Sequence, residues 1–140
     1  METSEVRKRV TAAIERAKRS ASDRKARNDE AERDYSAFLN RIAIPIFRQV
    51  ADSLKPAGYA FRVFTPGGSV RLMSESRAED FIELALDTIG AQPAVLGTSS
   101  LVRGHRVVVS ERPVAERPVK DVTEDDVLEF VAKELEAFVR

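Results

Sequence analysis

The sequence predicts an α+β fold: a long N-terminal helix expected to kink or break at Pro45, an antiparallel β-meander of four to five strands, and a C-terminal helix. Three observations carry this expectation. Residues 4–34 contain no glycine or proline and are rich in alanine, arginine, glutamate and lysine, the composition of an uninterrupted helix. Residues 59–112 carry short runs of alternating apolar and polar side chains between glycine and proline turn signals, the period of half-buried strands. Thr123-Glu124-Asp125-Asp126 then supplies a capping hydroxyl and three acids, which suit the positive end of a helix dipole. The order helix, sheet, helix places the helices on one face of the sheet.

The first helix begins near Ser4, an expected N-cap, with Glu5 in its first turn. A heptad laid on it puts Val10, Ala17, Arg24, Ala31 and Phe38 at position a, and Ile14, Ala21, Asn28, Tyr35 and Ile42 at position d. A repeat sustained over this length favours a coiled-coil or antiparallel helical pairing. The seam is thin in the middle, where alanines, Arg24 and Asn28 replace large apolar residues, so a solvated single helix is the other reading. Polar seam residues can set register and oligomer state at some cost in stability.

From residue 35 to residue 54 the apolar side chains Tyr35, Phe38, Leu39, Ile42, Ile46, Phe47, Val50 and Leu54 are spaced by about three or four, which paints one broad face for docking on a core. Pro45 lacks the donor that would reach the carbonyl of Arg41 and its ring crowds that carbonyl, hence the expected kink. Unbroken to residue 54, the helix would be roughly 75 Å long, more than a domain of this size is wide. Something beyond the chain's own core must therefore cover its N-terminal part. The expected division is an extended charged arm over residues 1–34 and an α+β domain over residues 35–140.

In the meander, residues 59–64 and 69–74 flank Thr65-Pro66-Gly67-Gly68, a tight-turn sequence. Pairing across it sets Phe61 opposite Leu72, Val63 opposite Val70 and, on the other face, Arg62 opposite Arg71. Residues 81–88 give conflicting signals. Ile82, Leu84 and Leu86 alternate with Glu83, Ala85 and Asp87, as in a strand, while Ser76-Arg77-Ala78-Glu79 resembles a helix capping box. Strict alternation and strand neighbours favour the strand, which would bring Glu83 and Asp87 onto the face of Arg62 and Arg71. Residues 94–102 and 106–111 form a further hairpin turning at Gly104-His105. The echo Glu111-Arg112-Pro113-Val114 and Glu116-Arg117-Pro118-Val119 reads as an extended connector. Val127, Val131, Leu135 and Phe138, with Leu128 beside them, form the expected buried stripe of the last helix.

Composition narrows the chemistry. The chain has 140 residues, 43% apolar and 33% charged, with 23 basic and 23 acidic side chains, so no global field draws it to nucleic acid or anionic lipid. There is no cysteine, which removes disulfides, thiolate metal sites and cysteine nucleophiles. His105 is the sole histidine, so neither a nucleophilic triad nor a multi-histidine metal site can be built, and it reads as an exposed turn residue. No signal-peptide-like or membrane-spanning run is present, and a cytoplasmic location is the expectation. Arginine outnumbers lysine 17 to 6, a bias that suits a GC-rich bacterial genome.

No catalytic constellation, cofactor or metal site is predicted. The leading expectation is a non-enzymatic interaction or scaffolding protein that forms a homodimer or higher homo-oligomer, with or without a foreign protein partner, through Val10, Ile14, Ala17, Ala21, Asn28, Ala31, Tyr35 and Phe38. The alternative is a nucleic-acid-associated regulator. Residues 7–27 carry nine basic and two acidic side chains, and Arg16, Arg19 and Arg24 are the candidate phosphate contacts. Against it, acids follow at Asp29, Glu30, Glu32 and Asp34, and the basic stretch has no aromatic residue for base stacking. A basic half followed by an acidic half also suits antiparallel self-pairing. A third expectation is an anion held by Arg62 and Arg71 on the polar face of the sheet.

Overall fold

The computed structural model describes residues 1–139. The chain runs as α1 (Thr3–Phe38), a π-helical turn (Leu39–Ala43), α2 (Ile44–Leu54), then strands β1 (Phe61–Phe64), β2 (Val70–Ser74), β3 (Phe81–Asp87), β4 (Ala94–Arg103) and β5 (Arg106–Pro113), and ends with α3 (Glu124–Leu135). The five strands form one antiparallel sheet in sequence order. This is the α+β architecture expected from the sequence.

Pro45 neither breaks the helix nor ends it. The turn before it widens, so that the Ile44 amide reaches back five residues to the Leu39 carbonyl. That π turn shifts the hydrogen-bond ladder just where the proline has no N–H to give, and Pro45 settles in the first turn of α2, where none is needed. The broad face then docks as its spacing implies, burying Tyr35, Phe38, Ile46, Phe47 and Val50, with Ala43 and Ala51 between them.

The helices cover the sheet face made by Val70, Leu72, Ile82, Leu84 and Val95, all at or below 1% exposure. β3 is a strand over Phe81–Asp87, as its alternation demands, and pairs Ile82 with Leu72 and Glu83 with Arg71. The β1–β2 register differs from the expected one by two residues. Phe61 lies opposite Ser74, Val63 opposite Leu72 and Phe64 opposite Arg71, so Arg62 faces Met73 and not Arg71. The cause is the turn. Pro66–Gly68 forms a 3-10 turn with Gly67 and Gly68 at φ +54° and +83°, conformations open to glycine, and the loop consumes more chain than a tight turn. An even shift keeps every side chain on its expected face.

β5 continues through Pro113, beyond the expected end, and the amide of Val114 still bonds the Val95 carbonyl. The two valines of the proline echo, Val114 and Val119, both plug the core. The α3 cap forms as expected and is reciprocal: the Thr123 hydroxyl accepts from the Asp126 amide, and the Asp126 carboxylate accepts from the Thr123 amide. The stripe of α3 needs correction. Phe130 is buried with Val127 and Val131, whereas Leu128 is 47% exposed. Phe130 enters because Gly97 on β4 leaves room for its ring. Phe138 lies past the end of α3 and meets Phe61 edge-on at 5.9 Å.

Candidate interaction site

The first 28 residues of α1 stand clear of the core. No residue from Thr3 to Glu30 is buried, and docking begins only at Ala31. The free arm is roughly 40 Å long at about 1.5 Å per residue. Val6, Val10 and Ile14 are 45%, 51% and 50% exposed. With 3.6 residues per turn, these three, Ala17, Ala21 and Asn28 fall within a sector of roughly 80°. The same side of the helix leads on to Ala31 and Tyr35, which are buried. One stripe thus starts in water and ends in the core.

Of the eight expected interface residues, Val10, Ile14, Ala17 and Ala21 are exposed and Asn28 is half-buried. Ala31, Tyr35 and Phe38 instead pack inside this chain's own core, because the docking face of the helix starts one turn before Tyr35. Those three are therefore closed to a second helix. Tyr35 ties the arm to the sheet: its hydroxyl donates to the Leu84 carbonyl at 3.2 Å. Burial, helped by the nearby Glu83 carboxylate, pushes its phenol up to about 12.

Two concavities flank the base of the arm. One, of about 530 Å³, lies between Arg24, Arg27 and Asn28 and the loop from Thr88 to Pro93. That loop carries Ile89, which is 96% exposed. The other, of about 580 Å³, lies between Arg27, Glu30, Ala31 and Asp34 and the connector around Pro118. Sequence reading missed Val6 and Ile89. Val6 falls outside a strict a/d count, and the signal for Ile89 is a lone bulky side chain next to a glycine in a loop.

Arg16, Arg19 and Arg24 are exposed, but they spread over roughly 140° of the helix circumference and do not form one stripe. Among the described residues the arm's only ion pair is Arg9 with Glu5, at 3.0 Å and well exposed. On the sheet, the register keeps Arg62 and Arg71 from facing each other, and each has its own carboxylate. Arg71 bonds Glu83 at 3.1 Å and lies over the Phe81 ring, 4.0 Å from its centroid. Arg62 approaches Glu75 at 3.7 Å. An anion between them would compete with both acids. His105 sits exposed in the β4–β5 turn beside Gly104.

Among the described residues no group of three or more His, Asp or Glu side chains is placed to hold a metal ion, and no helix is long and apolar enough to cross a membrane. No protein-family model, curated protein or solved structure matches this chain.

Proposed function

We propose that this chain is a non-enzymatic assembly protein whose arm, residues 3–30, pairs with the arm of a second copy. The observation behind this reading is the stripe Val6, Val10, Ile14, Ala17 and Ala21, exposed yet collinear with the buried Ala31 and Tyr35. Most helical stability in proteins comes from burying such a face. Antiparallel pairing fits the charge order, since Arg7, Lys8 and Arg9 of one arm then approach Asp29, Glu30, Glu32 and Asp34 of the other. Ile89, exposed at the base of the arm, adds apolar surface where an incoming helix would end.

Light scattering after size exclusion tests this on the full chain and on a Val10→Glu/Ile14→Glu variant. The expected result is at least twice the chain mass for the parent and the single-chain mass for the variant. A monomeric parent at all concentrations would sink the reading.

A second reading, nucleic-acid association, is favoured by one observation: the nine basic and two acidic side chains of residues 7–27 are all exposed. Its signature is binding that weakens steeply with salt and is lost on charge reversal of Arg16, Arg19 and Arg24. The spread of these arginines around the helix ranks it second.

A further inference from the structure

β5 is the long free edge of the sheet. Val107, Val108 and Val109 are 53%, 45% and 56% exposed, so neither face of the strand is covered at its centre. The Val114 amide bonds Val95, and by alternation along the ladder the amides of Val108, Ser110 and Arg112 turn toward β4, while those of Val107, Val109 and Glu111 turn outward. Natural edges are commonly blunted by shortness, lysine, proline or a bulge. The opposite edge, β1, has four residues; β5 has eight, an unbroken register with β4, charges only toward its ends (Arg106, Glu111 and Arg112), and a proline only at its last position.

We propose that this edge is a self-pairing surface: β5 of a second copy adds antiparallel to it about a two-fold axis at Val108, joining two sheets into one. The register follows from symmetry and charge. A two-fold perpendicular to the sheet sets a residue opposite itself, and the three valines offer three centres; Val107 would set Val109 against His105 in the turn, which leaves Val108 or Val109. Centred on Val109, Arg106 would face the partner's Arg112, and like charges directly opposed destabilise a sheet. Arg112 is also already held by Glu134 at 3.1 Å and stacked on the Phe130 ring. Centred on Val108, Val107 faces the partner's Val109, Arg106 faces the partner's Ser110, and His105 comes opposite the partner's Glu111. Four outward backbone groups on each strand then find partners, and the three valines gain apolar cross-strand neighbours. One strand edge buries less than the roughly 1,200 Å² of a stable standard interface, so this contact is weak and concentration-dependent on its own. It does not depend on the arm, although arms that pair in the same assembly would raise its effective concentration.

The absence of cysteine makes the test clean. In the full chain, Val108→Cys sits at a non-hydrogen-bonded pair, where the two Cα atoms are about 4.5 Å apart, within reach of a disulfide. Under mild oxidation it is expected to dimerise at least tenfold faster than Leu128→Cys, a similarly exposed position on α3. Adding Val109→Lys, which guards the edge with a charge, is expected to abolish that advantage. The same ratio should persist in the Val10→Glu/Ile14→Glu background, which separates this edge from the arm. Equal rates for Val108→Cys and Leu128→Cys would overturn the proposal, as would an edge that binds only a foreign extended peptide. On the unmodified chain, the amides of Val107 and Val109 should gain at least tenfold protection from hydrogen exchange as concentration rises; protection that stays constant would overturn it equally.

Discussion

The ring of Phe130 fills the space over Gly97 that any side chain there would need. A Cβ at Gly97 would come within 2.6 Å of the ring's Cε1 and closer still to Cζ. The Arg112 guanidinium, on the residue paired with Gly97 across β4 and β5, covers the ring from 4.4 Å. Glu134 then closes the clamp, accepting from Arg112 Nε at 3.1 Å and from the Ser99 hydroxyl at 3.1 Å. This contact group ties helix α3 to the sheet, beside the buried Val127 and Val131.

Gly97→Ala is therefore expected to destabilise the fold by about 1–3 kcal/mol through overpacking, although alanine ordinarily suits a strand better than glycine. Phe130→Ala should cost about 3–5 kcal/mol. In the double variant the alanine methyl has room, so the two costs should fall well short of additive. Urea unfolding of the four proteins measures this cycle.

Tyr35 makes the fold sensitive to alkali. Its phenol is raised in the folded state, from about 10 to about 12, so the unfolded chain ionises first. The stabilisation is fully present below about pH 10 and is lost as pH climbs toward about 12. Tyrosinate absorbance should show one late-titrating group in the parent that is missing in Tyr35→Phe. That variant also loses the bond to Leu84, a change of about 1 kcal/mol at neutral pH.

Thr123→Ala removes the hydroxyl that receives the Asp126 amide and should cost about 0.5–2 kcal/mol. Thr123→Ser keeps an acceptor and should cost much less. Thermal melts of both variants decide it.

If the arms pair, the melting midpoint of the parent should rise with protein concentration, and that of Val10→Glu/Ile14→Glu, left with at most the weak β5 contact, should rise much less. The substituted positions are exposed, so the intrinsic stability of the domain should change by no more than about 0.5 kcal/mol. A concentration-independent parent midpoint would contradict the assembly reading.

Much of this protein is local chemistry and was legible residue by residue. The glycine- and proline-free run to residue 34, the alternation at Ile82, Leu84 and Leu86, and the Thr123 cap each act through near neighbours in the chain, so their patterns survive without tertiary knowledge. What the tertiary structure decided are relations between distant segments. The π turn before Pro45 keeps the helix continuous because both its flanks dock on one core. The Pro66–Gly68 turn moved the β1–β2 register by two residues and so separated Arg62 from Arg71. Phe130 displaced Leu128 from the buried stripe because a glycine lies opposite it on β4. The point where the arm leaves the core, at Ala31, and the exposure of the β5 edge depend on which surfaces the fold leaves uncovered. A one-dimensional pattern marks an apolar face; only packing determines whether the same chain covers it.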